Sequence, residues 1–235
     1  MSAIISRLSV SLVCLASLAA CGQDAVAPAS AEPDPLTAGN VQLEVTATPP
    51  TIVMLGDSLT AGYGLPNREA LPAELERQLK AAGTVAKLVN AGVSGDTSAN
   101  GLARYDWSVG ASDADILIVA LGGNDFLQGV SPDTVRENLA EILTRAQQDG
   151  LRVVLAGLDP READASSSVN TVYAAIYTEL AETFEVPLYA DLLDGVWNDP
   201  SLLLPDGLHP NAAGVDLVAE QLADFLLTRN IIVSE

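Results

Sequence analysis

With 235 residues the chain has room for one sizeable domain with a full core, or at most two small ones. Hydrophobic residues make up 49% and aromatics only 4%, so the core is aliphatic, as suits buried parallel strands and Ala/Leu-rich helices. A formal net charge of -20 makes nucleic acid a poor partner and disfavours electrostatic docking on anionic membranes.

The chain opens with Arg7 ahead of an apolar run from Leu8 to Leu15 and then small residues. That is the layout of a secretory signal peptide, too short for a membrane span. The run ends in Leu18-Ala19-Ala20-Cys21, which resembles the lipobox of bacterial lipoproteins. The resemblance implies that residues 1–20 are a signal peptide and that Cys21 is lipidated, anchoring the protein to a membrane of the cell envelope, on the periplasmic side. The alternative is ordinary cleavage nearby, for instance after Ala25-Val26-Ala27, leaving a secreted soluble protein. Cys14 and Cys21 are the two cysteines, so no disulfide, zinc finger or cysteine nucleophile operates further along. Residues 21–50 are rich in Ala, Pro, Thr and acidic residues and read as a flexible linker. Within them Val41–Val45 alternates as a strand would, but it is assigned to the linker.

Residues 51–235 read as the folded domain. Strands are predicted at Thr51–Leu55, Ala86–Asn90, Ile116–Leu121, Arg152–Ala156 and Pro187–Ala190, each apolar on both faces. Between the first two, Leu71, Leu75 and Leu79 follow a helical period that Gly83 ends. Ser131-Pro132 caps and starts a helix that stops at Gly150. Val169 to Glu182 is helical. The last helix starts near Pro210-Asn211 and reaches Thr228, with Val215, Val218, Leu222 and Phe225 on one face. Repeated β-α-β order predicts an α/β fold with a parallel, doubly wound sheet, whose ligands bind at the carboxyl ends of the strands.

Four polar segments stand at or after those ends. After the first strand comes Gly56-Asp57-Ser58-Leu59, where Ser58 is either an exposed hydroxyl for chemistry or the cap of the next helix. After the second comes Ser94-Gly95-Asp96-Thr97, where the Gly95 N–H is open to a ligand or Gly95 simply makes a turn. After the third comes Gly122-Gly123-Asn124-Asp125, with Asn124 an amide donor or an Asx-turn. The fourth is Asp206-Gly207-Leu208-His209-Pro210-Asn211. His209 is the single histidine, so a site built on several histidines is excluded and one imidazole is left for proton transfer near neutrality. Asp206 could orient it, provided the intervening backbone forms a loop or helical turn. Phe126, Leu127 and Val130 either wall a pocket or pack in the core.

Taken together, these four blocks resemble those of the SGNH (GDSL-type) hydrolases, in particular the bacterial thioesterase I / lysophospholipase L1 / arylesterase branch, over Thr51 to about Thr228. The resemblance implies a three-layer α/β/α flavodoxin-like fold with a five-stranded parallel sheet in the order 2-1-3-4-5. It implies acyl-ester or thioester hydrolysis through an acyl-enzyme intermediate, with Ser58 as nucleophile, His209 as general base and Asp206 as its orienting partner. Ser58 and Gly95 N–H groups and the Asn124 amide would form the oxyanion hole. The expected partner is a small acyl ester or lysolipid, met by a monomer without metal or cofactor. Segment Asp159–Ser168, acidic and serine-rich, would border the acyl pocket and departs from the Pro/Asn/Tyr-like loop of many relatives. Two other readings are a carbohydrate O-deacetylase or acyltransferase of the same fold, and a non-catalytic envelope lipoprotein.

Overall fold

A computed structural model describes residues 48–158 and 168–232. Residues 1–47, on which the expected signal peptide, Cys21 and most of the expected linker fall, and the 159–167 segment lie outside them. Among the described residues the strands are β1 (Thr51–Gly56), β2 (Lys87–Gly92), β3 (Ile116–Ala120), β4 (Arg152–Ala156) and β5 (Leu188–Tyr189). They pair in parallel in the order β2-β1-β3-β4-β5. This is the expected α/β sheet. It places the reversal of strand order between β1 and β3, where the carboxyl ends open a crevice.

The lack of hydrophobic alternation in the strands has a direct cause. Successive side chains point to opposite faces, and both faces are covered. Ile52, Met54, Ile116, Ile118 and Val154 pack on one side with α2 (Leu71–Ala81) and α7 (Ala212–Thr228). Val53, Leu55, Leu117, Val119 and Leu155 pack on the other with α5 (Pro132–Gln148) and α6 (Ser168–Phe184). β2 departs from the expectation, being half-exposed, because it is the edge strand. β5 is shorter than predicted, pairing with β4 only at Leu188 and Tyr189.

Helix ends follow their caps. The Ser131 hydroxyl accepts the Thr134 N–H at 3.2 Å with Pro132 at the first helical position. Asn211 caps α7 by accepting the N–H groups of Ala213 and Gly214. Val215, Val218 and Leu222 of α7 are buried as expected, whereas Phe225 is half-buried, its ring edge against Tyr189 at 5.2 Å. Three short helices escaped the periodicity reading: α1 (Ser58–Ala61), α3 (Ser98–Ala103) and α4 (Gly123–Gln128). α1 and α4 begin within a polar block at a strand end and α3 directly after one, and each is too short to show a 3.6-residue pattern.

Candidate active site

Ser58 stands at the first position of α1, directly beyond β1. Its neighbour Asp57, not Ser58, caps this helix: the Asp57 Oδ1 accepts the Leu59 N–H at 3.0 Å. The serine hydroxyl is therefore free for another partner, and the capping alternative for it falls away. That partner is the imidazole of His209, whose Nε2 lies 2.9 Å from the Ser58 Oγ. On the other edge of the ring, Nδ1 lies 2.8 Å from the Asp206 Oδ2.

The three-residue spacing of Asp206 and His209 works because the carboxylate builds its own turn. Its Oδ1 accepts the N–H groups of Leu208, at 2.9 Å, and His209, at 3.1 Å, which leaves Oδ2 for the ring. These bonds, the Leu208 N–H first, hold the Asp206 carboxyl down to about 2. An ionised carboxylate only accepts, so Nδ1 carries the proton and Nε2 offers its lone pair to the serine hydroxyl.

Two backbone N–H groups and one amide stand nearby. Ser58 opens α1, so its N–H has no acceptor within the helix. Gly95 has φ +89°, a left-handed conformation that favours glycine, and among the described residues its N–H has no acceptor. Asn124, in the first turn of α4, donates its amide to the Asp57 Oδ2 at 3.1 Å and to the Asp96 carbonyl at 3.0 Å. Any further acceptor approaching this amide has to share or displace one of these two. Asp57 is almost fully buried, and burial raises its carboxyl to about 6 against the lowering pull of the Leu59 N–H, the His209 charge and the Asn124 amide.

The donor loops are tied down by groups the motif reading did not single out. Arg104 is buried and donates to the Asp96 carboxylate at 2.6 Å, to the Ser108 hydroxyl at 3.0 Å and to the Gly56 carbonyl at 2.9 Å. It thereby clasps the Gly95-Asp96 loop to the end of β1. Asp125 is fully buried and accepts the Ser98 N–H and hydroxyl, both at 2.7 Å, joining α3 to α4. Arg104 lies eight residues beyond Asp96 with no local pattern marking the pair. The ring of Tyr63 lies against His209, centroids 4.4 Å apart.

The site opens into a cavity of about 300 Å³ with predominantly apolar walls, among them Phe126, Leu158, Tyr173, Leu193, Trp197 and Leu208. Phe126 and Leu127 line this cavity, and Phe126 also packs, like Val130, against the core. Phe126 is held edge-on by Tyr173 at 5.2 Å, and the Tyr173 hydroxyl donates to the Val130 carbonyl.

Known proteins agree with this architecture. The family model described as GDSL-like Lipase/Acylhydrolase matches residues 54–217. Esterase TesA of Pseudomonas aeruginosa is 33% identical over 188 residues, covering 77% of this chain and 90% of that protein. Thioesterase 1/protease 1/lysophospholipase L1 of Escherichia coli K12 is 34% identical over 176 residues, covering 75% and 83%. The crystal structure of AlinE4, an SGNH-hydrolase family esterase, superposes with a TM-score of 0.65 at 35% identity, covering 77% of this chain and 97% of that one. The match spans the strand-end blocks that carry Ser58, Gly95, Asn124 and His209, and the chain belongs to the GDSL-like lipase/acylhydrolase family, the SGNH hydrolases.

Proposed function

We propose that this enzyme is a serine esterase cleaving small acyl esters, thioesters or lysolipids through a Ser58–His209–Asp206 triad. The observation that carries the reading is the continuous hydrogen-bonded chain from Asp206 through both nitrogens of His209 to the Ser58 hydroxyl, at the mouth of an apolar cavity. The serine hydroxyl is a weak nucleophile at neutral pH unless a base takes its proton. His209 Nε2 receives that proton as the Ser58 Oγ bonds to the acyl carbon, and then delivers it to the departing alkoxide or thiolate. Asp206, held ionised, stabilises the imidazolium and fixes its orientation. Water then repeats the sequence on the acyl-enzyme.

The negative charge on the tetrahedral oxygen is met by the Ser58 and Gly95 N–H groups and the Asn124 amide, one such donor being worth about 3 kcal/mol in related chemistry. The apolar walls suit an acyl chain, and the volume lies at the low end for ligand pockets. The names of the relatives, esterase and thioesterase 1/protease 1/lysophospholipase L1, are consistent with this range of acyl substrates. We place the enzyme at the cell envelope, tethered through lipidated Cys21 and the 21–50 linker, on the strength of the lipobox-like Leu18-Ala19-Ala20-Cys21.

The test is hydrolysis of a p-nitrophenyl acyl ester series by wild type and Ser58→Ala. The variant is expected to lose about a thousandfold or more in kcat. Wild-type turnover by the variant would remove Ser58 as nucleophile.

A further inference from the structure

His209 is gripped from more than its two edges. The Tyr63 ring lies against the face of the imidazole, centroids 4.4 Å apart and planes inclined by 33°. Tyr63 itself is half-exposed, and among the described residues no group pairs with its hydroxyl. Its contribution at this contact is therefore the ring.

The ring is placed by the same turn that carries the nucleophile. The N–H groups of Gly62 and Tyr63 both donate to the Ser58 carbonyl at 3.1 Å. Gly62 ends α1 in the left-handed region, φ +81°, and a Cβ there would come within 2.6 Å of the Ala70 side chain. The chain thus reverses tightly under Ser58 and presents Tyr63 beside it. One rigid turn supplies both the hydroxyl at the edge of the imidazole and the aromatic surface on its face.

We propose that Tyr63 is a positioning residue for His209: its ring holds the imidazole plane in line with Ser58 and favours the protonated imidazole that forms during attack. The inference rests on the triad reading for its catalytic consequence, and on the ring contact alone for its structural part. Two physical effects combine. Packing on one face restricts rotation of the imidazole about its last side-chain bond, so that Nε2 stays directed at the Ser58 Oγ. The electron-rich face of an aromatic ring also attracts a cation. Among the described residues the ionisable groups facing the imidazole are Asp206, at 2.8 Å, Asp57, whose carboxyl feels the His209 charge, and Tyr63. The first two are unchanged when Tyr63 is replaced.

The chain has a single histidine, so its imidazole gives one set of NMR signals and needs no assignment by mutation. The full-length protein is titrated as wild type, Tyr63→Leu and Tyr63→Phe, with kcat and KM measured on the same samples. Tyr63→Leu is expected to move the half-titration point of that signal down by about half a pH unit and to lower kcat about two- to fivefold at nearly constant KM. Tyr63→Phe, which keeps the ring, is expected to recover most of both. An unmoved titration in Tyr63→Leu, or a Phe variant as impaired as the Leu variant, overturns the proposal. A titration that moves as expected in a protein without Ser58-dependent esterase activity leaves the ring contact standing and defeats the triad reading instead.

Discussion

Asp57→Asn separates what burial does to stability from what the same carboxylate does for the site. In the folded protein Asp57 is almost fully buried and its carboxyl is raised from 3.8 to about 6. Below pH 4 the group is neutral in folded and unfolded chains alike and costs nothing. Between pH 4 and 6 the unfolded chain ionises it while the folded chain keeps it protonated, so the unfolded state binds fewer protons and stability falls as pH rises. Above pH 6 the full penalty is present, about 3 kcal/mol. Asparagine does not titrate, so the stability of Asp57→Asn relative to wild type should improve by about that amount between pH 4 and pH 7. Activity should go the other way. Asp57 uses one oxygen for the Leu59 N–H and the other for the Asn124 amide. In the variant an NH₂ group replaces one of these oxygens and faces a donor. Misplacing the Asn124 amide is expected to cost about 10²- to 10³-fold in kcat. Urea unfolding of both proteins at pH 4.5, 5.5, 6.5 and 7.5, together with esterase rates, checks both halves. A stability gap that stays constant across that range would refute the raised carboxyl, and unchanged kcat would refute the coupling to Asn124.

Arg104→Met should destabilise the fold by about 3 kcal/mol, lowering Tm by about 10 °C, because it leaves the largely buried Asp96 carboxylate without its cation. Adding Asp96→Asn should recover part of that loss in thermal unfolding, and strictly additive effects would show that the pair is not coupled. Cys21→Ser should move the protein from the membrane to the soluble fraction of the cell envelope. Unchanged membrane association would dispose of the lipid anchor.

The readable part of this protein was local. Aliphatic strands without alternation announced a sheet covered on both faces, and the Ser131-Pro132 and Asn211 caps announced helices, because those signals depend on residues within one turn or one strand. The four polar blocks announced a site at the strand ends for the same reason. Periodicity could not show α1, α3 and α4, since four to six residues do not complete enough turns. It also overestimated β5, whose length is limited by how far β4 offers a partner.

Contacts between distant segments belong to the tertiary structure. Ser58 and His209 lie 151 residues apart and meet because parallel pairing sets β1 in the middle of the sheet, while the turn before α7 returns to its carboxyl edge. Neither the clasp of Arg104 on Asp96 and Gly56 nor the Tyr63 ring on His209 has a sequence spacing that predicts it. The sequence by itself determined which residue types are available for acyl transfer and which strand ends carry them. Only the fold decided that Asp57 rather than Ser58 caps α1, leaving the serine hydroxyl for the imidazole, since a cap is a matter of side-chain geometry that serine and aspartate satisfy equally well on paper.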